Sequence, residues 1–335
     1  MSRDDAERFC VNIVLYMLNL LKINFLFLLC LSMAIAAGVK HEPIRPLVID
    51  PDLDPRMVSL GDKLFHDTRL SQDNSISCSS CHILSTGGTD RKSVSVGIGG
   101  AVGGIKAPTV YNATFNFVQF WDGRAASLEQ QAAGPVHNPM EMNSNWEEVI
   151  SKLEQDPVMM EEFDALFDDG ITEENISTAI ATFEHSLVTL NSRFDRWLQG
   201  EQGVLTEQEL RGYRLFKSYG CISCHQGMNV GGNMYGFMGA MGDYFKDRQR
   251  PITTADMGRY NVTKNSEDRH YFKVPSLRLA AINPPYFHDG SETTLKGAVR
   301  IMGRYQLGRE LPERDIEDIV AFLHSLVGEH IRLKP

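Results

Sequence analysis

The sequence contains two copies of the motif Cys-x-x-Cys-His, and this pair constrains the fold more than any other feature. The copies are Cys78-Ser-Ser-Cys81-His82 and Cys221-Ile-Ser-Cys224-His225. In such a motif the two thiols form thioethers to a porphyrin, and the adjacent imidazole becomes an axial ligand of the iron. The other two of the six cysteines, Cys10 and Cys30, lie near the N-terminus. The motifs therefore predict two covalently bound haem c groups, with His82 and His225 as iron ligands.

Other interpretations of the cysteine pairs are weaker. In an exported protein each pair could form a disulfide, and two pairs together could hold a structural zinc ion. The motifs lie about 140 residues apart, however, which is far for the halves of a zinc knuckle. Zinc also leaves unexplained why a histidine follows each second cysteine. A thioredoxin-type motif would open a helix after a strand, and no such unit is visible in the sequence.

The N-terminal segment is strongly apolar. Residues 11–37 form an apolar run that ends in Ala34-Ile35-Ala36, the small-x-small pattern of a signal peptidase site. We therefore predict a signal peptide over residues 1–36 and a periplasmic location, since haem c is attached outside the cytoplasm. The run is also long enough to span a bilayer if Lys22 is tolerated, so an uncleaved anchor is the alternative. The membrane is expected as a partner only in that case.

Charge and length restrict the class of protein further. The net charge is −10, which argues against nucleic acid as a partner and permits steering of a basic partner protein. A chain of 335 residues exceeds one typical domain and suits two.

The two halves of the chain repeat each other. Residues 61–65 (Gly-Asp-Lys-Leu-Phe) precede the first motif, and residues 212–216 (Gly-Tyr-Arg-Leu-Phe) precede the second. Residues 120–123 (Phe-Trp-Asp-Gly) match residues 287–290 (Phe-His-Asp-Gly), each at the same distance from a preceding proline. The repeat predicts one haem domain in each half.

Helical patterns dominate the remaining sequence. Apolar residues recur at three- and four-residue spacing over 146–153, 158–167 and 176–190. Thr206 to Glu209 is typical of a capping box, and residues 315–326 form an amphipathic closing helix. We predict a mainly α fold of two cytochrome c-like haem domains with a helical connecting region. The N-terminal domain is predicted to cover 37–200 with its helical segment, and the C-terminal domain 201–335.

Two loops carry unusual compositions. Residues 97–104 are rich in glycine, but Val102 takes the third glycine place of a nucleotide-binding pattern, and no strand–turn–helix context surrounds it. We interpret this segment as a flexible loop beside a haem. Residues 228–244 form an insertion absent from the first half and contain four methionines. Any of these could reach an iron, although packing is the simpler role for most.

The sixth ligand position of each iron decides what each haem can do. Aligning the halves by their Asp-Gly pairs places Met302 opposite Pro135. A thioether can ligate haem iron, and proline has no side-chain donor. The pattern favours His225 and Met302 as the axial ligands of the second haem, and a first haem held by His82 alone. The alternative for Met302 is a buried apolar residue on a helix.

Polar residues cluster around Pro135. Gln131, His137 and Glu141 lie within a few positions of it. Cleaving a peroxide requires a group that takes a proton from one oxygen and returns it to the other, and a carboxylate held near haem can do this. We expect Glu141 to be that group, with His137 as second choice. A solvated surface position is the alternative for each.

These features resemble the bacterial di-haem cytochrome c peroxidases. The resemblance runs from residue 60 to residue 326 and is most specific in five segments, which are 119–124 (Gln-Phe-Trp-Asp-Gly-Arg), 134–136 (Gly-Pro-Val), 141–142 (Glu-Met), 285–288 (Pro-Tyr-Phe-His) and 302–303 (Met-Gly). It implies an enzyme that reduces H₂O₂ to water with electrons from a small c-type cytochrome or a cupredoxin. It also implies a possible homodimer, since family members are often dimers.

The resemblance also implies roles for individual residues. His82 would carry the peroxidatic haem, and His225 with Met302 the electron-accepting haem. Trp121 would lie between them as an electron bridge, and Gln131 and Glu141 would line the peroxide pocket.

This chain departs from the family pattern at two positions. Many members carry a histidine in the glycine-rich loop that caps the peroxidatic iron until the other haem is reduced, and Ile98 stands there instead. We therefore expect a first haem that needs no reductive activation, unless His66 or His137 caps it. Lys106 holds the position of an asparagine that ligates calcium in the family, which leaves calcium uncertain because an ammonium cannot ligate a cation.

Two other functions remain open from the sequence. MauG-like di-haem oxidases modify a protein substrate, but they carry a tyrosine where this chain has Met302. A di-haem electron carrier is the other alternative, although an iron without a sixth ligand would serve no purpose in it.

Overall fold

The computed structural model describes residues 42–334, and the chain over this range is mainly helical. The α-helices in chain order are α1 (Pro55–Phe65), α2 (Cys78–Cys81), α3 (Leu128–His137), α4 (Trp146–Leu153), α5 (Pro157–Asp164), α6 (Glu173–Ser186), α7 (Arg193–Leu198), α8 (Glu207–Ser218), α9 (Tyr244–Asp247), α10 (Tyr260–Thr263), α11 (Leu295–Leu307) and α12 (Glu313–Ser325). The strands are β1 (Tyr235–Phe237) and β2 (Tyr271–Lys273). The mainly α prediction is confirmed, and the predicted signal peptide lies outside the described residues. Over residues 42–334, no helix combines the length and the apolar character needed to cross a membrane.

In the first half, α1 and α6 cross in direct contact at a glycine. A Cβ atom on Gly61 would lie 1.9 Å from the carbonyl oxygen of Ala179 and 2.7 Å from Cβ of Phe183. Only a residue without a side chain therefore permits this crossing. The crossing lies in an apolar cluster whose fully buried members include Leu64, Phe65, Val149, Phe163, Ile176 and Leu187.

The second half repeats this crossing with α8 and α12. A Cβ atom on Gly212 would lie 1.8 Å from the carbonyl oxygen of Asp318 and 2.9 Å from Cβ of Phe322. The predicted capping box is present, because Thr206 accepts from the N–H of Glu209 and the Glu209 side chain accepts from the N–H of Thr206. The surrounding cluster contains Phe194, Tyr213, Phe216, Ile319, Phe322 and Leu326.

Helix α6 is thus the counterpart of α12 and closes the first half. The sequence pattern placed it in the region between the repeats and predicted a helix over 176–190. The helix ends at Ser186 instead, and Leu190 forms an isolated antiparallel bridge with Glu329. Apolar spacing continues past the end of the helix because residues 187–190 are also buried or half-buried, in a non-helical conformation.

The segment before α3 and the segment before α11 share one unusual backbone. Phe120 and Phe287 both adopt positive φ angles, of 65° and 69°. Each lies in a tight turn whose ends are joined by an isolated antiparallel β-bridge. The bridge pairs Gln119 with Ala125 in the first half and Tyr286 with Glu292 in the second. The correspondence of α3 with α11 is therefore structural as well as sequential.

The insertion in the second half is packed against the body of the protein. Strand β1 within it pairs antiparallel with β2, so that Tyr235 faces Lys273 and Phe237 faces Tyr271. Met238 and Tyr244 of the insertion form a small buried cluster with Phe245 and Phe272.

Residues from Pro43 onward form one compact unit. Ile44, near the start of the described range, packs into the apolar cluster of the second half and bridges Gly227. The domain boundary after residue 200 stays a prediction.

Candidate functional site

The first Cys-x-x-Cys-His motif presents a buried, neutral histidine. Cys78 to Cys81 form the short helix α2, and His82 follows at its C-terminal end. The Nδ1 atom of His82 lies 3.2 Å from the carbonyl oxygen of Gly88, which can only accept a hydrogen bond. Burial lowers the pKa of His82, and with Nδ1 donating, Nε2 is left as the free lone pair that an iron requires.

The second motif also presents a buried histidine, but Cys221–Ser223 form a 3₁₀ turn, and Nδ1 of His225 has no hydrogen-bond partner among the described residues. Burial lowers the pKa of His225 to about 4, so this imidazole is also neutral. Gly231 stands six residues after His225, as Gly88 stands six after His82. A Cβ on Gly231 would lie 2.5 Å from the carbonyl oxygen of Pro275 and 3.2 Å from Nδ1 of His225. The sequence analysis did not single out these glycines, although their equal spacing from the motifs was a usable signal.

A large cavity adjoins the second motif. Its volume is about 520 Å³, and Cys221, Cys224, His225 and Met302 all line it. The rest of the wall is mostly apolar and includes Phe272, Val274, Leu295 and Leu323. Two thiols, a neutral imidazole and a thioether around an apolar cavity fit a covalently attached haem.

Three methionines line this cavity. Met302 lies on α11, and Met234 and Met238 belong to the insertion. Met241, in contrast, is 64% exposed. The prediction that Met302 is the sixth ligand of the second haem stays a prediction, and Met234 and Met238 are the alternative thioethers on the same wall.

Helix α3 is the first-half counterpart of α11. Pro135 lies inside this helix, and because proline has no N–H, the carbonyl of Gln131 lacks its usual helical donor. The adjacent Gly134 packs under the ring of Phe120, whose nearest carbon would lie 2.9 Å from an added Cβ. Gln131 itself is half-buried, one turn before Pro135.

Glu141 is a largely buried carboxyl just after α3. Burial raises its pKa, and a hydrogen bond from the Asn138 side chain and the charge of Arg124 act in the opposite direction. The Asn138 amide donates to Oε1 at 2.7 Å. The backbone carbonyl of Glu141 accepts from the N–H of Ile98 at 2.8 Å. Gly97 also packs against this segment, and a Cβ added to it would lie 2.1 Å from the carbonyl oxygen of Met140. The glycine-rich loop is thus fastened to the Glu141 segment.

The two histidines considered as alternative ligands lie at the surface. His137 is exposed, and its Nδ1 donates to the carbonyl of Ala133 at 3.0 Å. His66 is exposed at the end of α1, where its Nδ1 lies 2.9 Å from the carbonyl of Asp62. Both rings are therefore engaged locally.

Trp121 and His288 occupy equivalent repeat positions and meet where the two halves join. The Nε1 of Trp121 donates to the carbonyl of Lys106 at 2.9 Å. The backbone N–H of Lys106 donates to the carbonyl of His288 at 2.8 Å, and the N–H of Lys273 donates to the carbonyl of Trp121 at 2.8 Å. The ring centroids of Trp121 and His288 are 6.4 Å apart. The halves thus exchange equivalent hydrogen bonds around the predicted electron bridge.

A buried charged network holds His288. Its Nε2 lies 2.7 Å from Oδ1 of Asp256, and Arg248 pairs with both Asp256 and Asp289. Although burial opposes ionisation, hydrogen bonds from His288, Arg248 and Thr253 hold the pKa of Asp256 far below its usual value. These acids lie close enough together to hold a metal ion, but the guanidinium already neutralises them. No sequence pattern indicated this network, because its members are brought together from distant parts of the chain.

Glu184 is a second residue that the sequence analysis missed. It is 4% exposed on α6, and burial, followed by the charge of Glu129, raises its pKa to about 8. It acts electrostatically on Cys78 of the first haem motif. Because α6 corresponds to α12, Glu184 occupies the position equivalent to Leu323. Leu323 lines the cavity beside the second motif.

Comparison with known proteins places this fold among the di-haem peroxidases. A solved structure titled as a MauG-like protein associated with microbial copper homeostasis superposes with a TM-score of 0.75 at 27% identity, covering 88% of this chain and 96% of that one. The family model described as di-haem cytochrome c peroxidase matches residues 55–203.

Two curated bacterial relatives define the family more closely. Cytochrome c551 peroxidase of Nitrosomonas europaea is 45% identical over 312 residues, which is 92% of each chain. Cytochrome c peroxidase Ccp of Escherichia coli K12 is 50% identical over 290 residues, which is 86% of this chain and 62% of that protein. The chain belongs to the di-haem cytochrome c peroxidase family. The predicted class of enzyme, cytochrome c peroxidase, is confirmed, and family membership implies two haem c groups.

Proposed function

We propose that this protein is a periplasmic peroxidase that reduces H₂O₂ to two molecules of water, with two protons and two electrons from a small c-type cytochrome or a cupredoxin. The observation that carries the proposal is the chemical difference between two otherwise equivalent helices. Helix α11 presents Met302 to the haem cavity, whereas α3 has Pro135 at the equivalent position and polar residues around it. One half is therefore suited to electron transfer and the other to substrate.

When attached through the two motifs, the haems would supply a peroxide-binding iron held by His82 and an electron-accepting iron held by His225. Side chains of the protein would supply the remaining iron ligand, the electron path and the proton transfer. Met302 would complete the ligand set of the second iron and raise its potential. Trp121, hydrogen-bonded to both halves, is positioned to carry electrons between them.

Glu141 is the proton-transfer group of the proposal. Because burial raises its pKa, this carboxyl is a better match for accepting and returning a proton near neutral pH than an exposed glutamate. It would take the proton from one oxygen of the peroxide and deliver it to the other, which leaves as water. The Asn138 amide fixes one of its oxygens, and Gln131 would orient the peroxide.

The glycine-rich loop suggests an enzyme that is competent when fully oxidised. Ile98, which has no ligand atom, is tied to the backbone of Glu141. His137 and His66, the two histidines considered as capping ligands, are exposed at the surface. The first haem would then need no ligand to be released before peroxide binds. For calcium, the ammonium of Lys106 argues against a requirement.

A MauG-like oxidase is the second candidate, because one similar solved structure bears that description. Met302 argues against it, since the oxidases carry a tyrosine there. The matches to named cytochrome c peroxidases at 45% and 50% identity favour the peroxidase.

The test is turnover by the protein with both haems attached. Reduced small cytochrome c and reduced cupredoxin are supplied separately with H₂O₂, and donor oxidation is recorded. The proposal predicts two donor molecules oxidised per H₂O₂ and carbon monoxide binding at one haem of the reduced protein. Carbon monoxide binding without donor oxidation would favour the oxidase. No carbon monoxide binding would indicate two six-coordinate haems and an electron carrier.

A further inference from the structure

Two buried lysines occupy equivalent positions at the junction of the halves. Lys106 is 5% exposed and Lys273 is 6% exposed. Each precedes the proline of its repeat by two residues. The backbone N–H of Lys106 donates to the carbonyl of His288, and that of Lys273 donates to the carbonyl of Trp121. Their side chains both line the cavity that contains Cys221, Cys224 and His225.

Neither ammonium forms an ion pair within residues 42–334. The Nζ of Lys106 has only neutral acceptors, Oγ1 of Thr89 at 3.3 Å and the carbonyl of Ala107 at 3.4 Å. Asp90 acts on Lys106 electrostatically but does not reach it. Burial lowers the pKa of Lys106 and that of Lys273 to about 8 each.

Such an arrangement is costly unless an anion accompanies it. A buried charge without a partner loses its hydration and gains nothing in return, so buried charges in proteins are normally paired. A bound group that carries negative charge would offset this cost, and no described carboxylate pairs with either ammonium.

We propose that Lys106 and Lys273 are the carboxylate-binding residues of the haem cavity at the junction, and that their ammonium groups hold haem propionates. A haem carries two propionate carboxylates, and a carboxylate forms strong charge-assisted hydrogen bonds with an ammonium donor. The backbone bonds of both lysines to Trp121 and His288 place this positive charge beside the electron path. The inference rests on the two haems of the proposed function but not on peroxide reduction.

The charge has a measurable consequence for the haem potentials. A cation beside a haem favours the added electron, so removing the cation lowers the reduction potential. We expect K273M to lower the equilibrium constant for reduction of one haem at least tenfold. For one electron, this lowers the midpoint potential by 59 mV or more. K106M is expected to act in the same direction, and K273R to stay close to wild type.

The experiment is a spectroelectrochemical titration of the full chain with both haems, without peroxide or donor. K264M is the matched control, because it removes the same charge from an exposed lysine. If K273M does not retain two haems, K273Q takes its place with the same expected lowering. Potentials in K273M or K273Q that match wild type within threefold would overturn the proposal. A wild-type potential that falls when EGTA removes divalent metal would also overturn it, because the positive charge would then belong to a bound cation.

Discussion

Glu141 combines burial, one fixed oxygen and a position beside the glycine-rich loop, and these properties make it the residue on which turnover should depend. We predict that E141Q lowers the rate of peroxide turnover by about 100-fold or more, the usual contribution of a general acid–base group. The amide keeps the shape and the contact with Asn138 but cannot exchange a proton.

The measurement is steady-state peroxide turnover together with the absorption spectra of both haems. E147Q, on the exposed side of α4, is the matched control and should turn over like wild type. Activity retained in E141Q, with intact spectra, would remove Glu141 as the proton-transfer group.

Met302 is predicted to set the potential of the second haem. In M302H a harder nitrogen ligand replaces the thioether, so the midpoint potential of this haem should fall. M241H changes an exposed methionine of the insertion and should leave the potential unchanged. An unchanged potential in M302H would mean that the ligand is another residue, and Met234 and Met238 would be tested next.

Glu184 should make stability depend on pH. Its folded-state pKa is raised by burial to about 8, against an ordinary value of 4.5. Between these values the native state holds a proton that the unfolded state has lost, so stability is full below pH 4.5 and declines as pH rises towards 8. We predict that E184Q flattens this decline and is more stable than wild type at pH 8.

The check is thermal unfolding of the protein with both haems at pH 5.5 and 8, with E147Q alongside. Equal pH dependence in E184Q and wild type would show that Glu184 is ionised at low cost in the folded protein.

At the scale of elements, the two glycine crossings should be the least tolerant points of the fold. G61A and G212A each place a Cβ within 2 Å of a carbonyl oxygen on the opposing helix, so the helices must move apart. We predict a loss of about 1–3 kcal/mol in the free energy of unfolding, the usual range for overpacking.

Chemical denaturation measures this loss directly. G104A is the matched control, because an added Cβ there meets no atom within 4 Å and should cost little. Wild-type stability in G61A would mean that the α1–α6 crossing is looser than the structure shows.

Much of the fold followed from local sequence pattern. The capping box at Thr206 and the helix at Trp146–Leu153 were predicted correctly because cap chemistry and apolar spacing are local properties. The role of α6 was not, because nothing within it indicates that it packs across Gly61. Comparing Gly61 with Gly212 would have suggested the matching crossing.

The candidate site was only partly accessible from sequence. The motifs, Met302 opposite Pro135, and Glu141 came from spacing within the repeat. The Asp256–His288–Arg248 network and the buried Glu184 depend on contacts between distant segments, and no local pattern signals them. Lys106 was interpreted from sequence only as a substitution at a calcium position. Its burial, together with that of Lys273, suggests instead that it pairs with an anion.

At the scale of the whole molecule, one module is used twice and has diverged at the paired positions Pro135 and Met302. The halves keep the same helix crossing, the same turn before α3 and α11, and the exchanged hydrogen bonds around Trp121 and His288. They differ at Pro135 and Met302 and in the polar residues that surround Pro135. In the proposed mechanism, this asymmetry within a repeat would allow one haem to receive electrons and the other to use them.

The most direct test of this account is the onset of peroxide turnover by protein that starts fully oxidised, compared with protein pre-reduced by one electron. The account predicts immediate and equal turnover in both, because Ile98 offers no ligand to block the first haem. A lag in the oxidised protein that pre-reduction removes would contradict the open first haem and reveal a capping ligand, with H66G and H137G the first variants to examine.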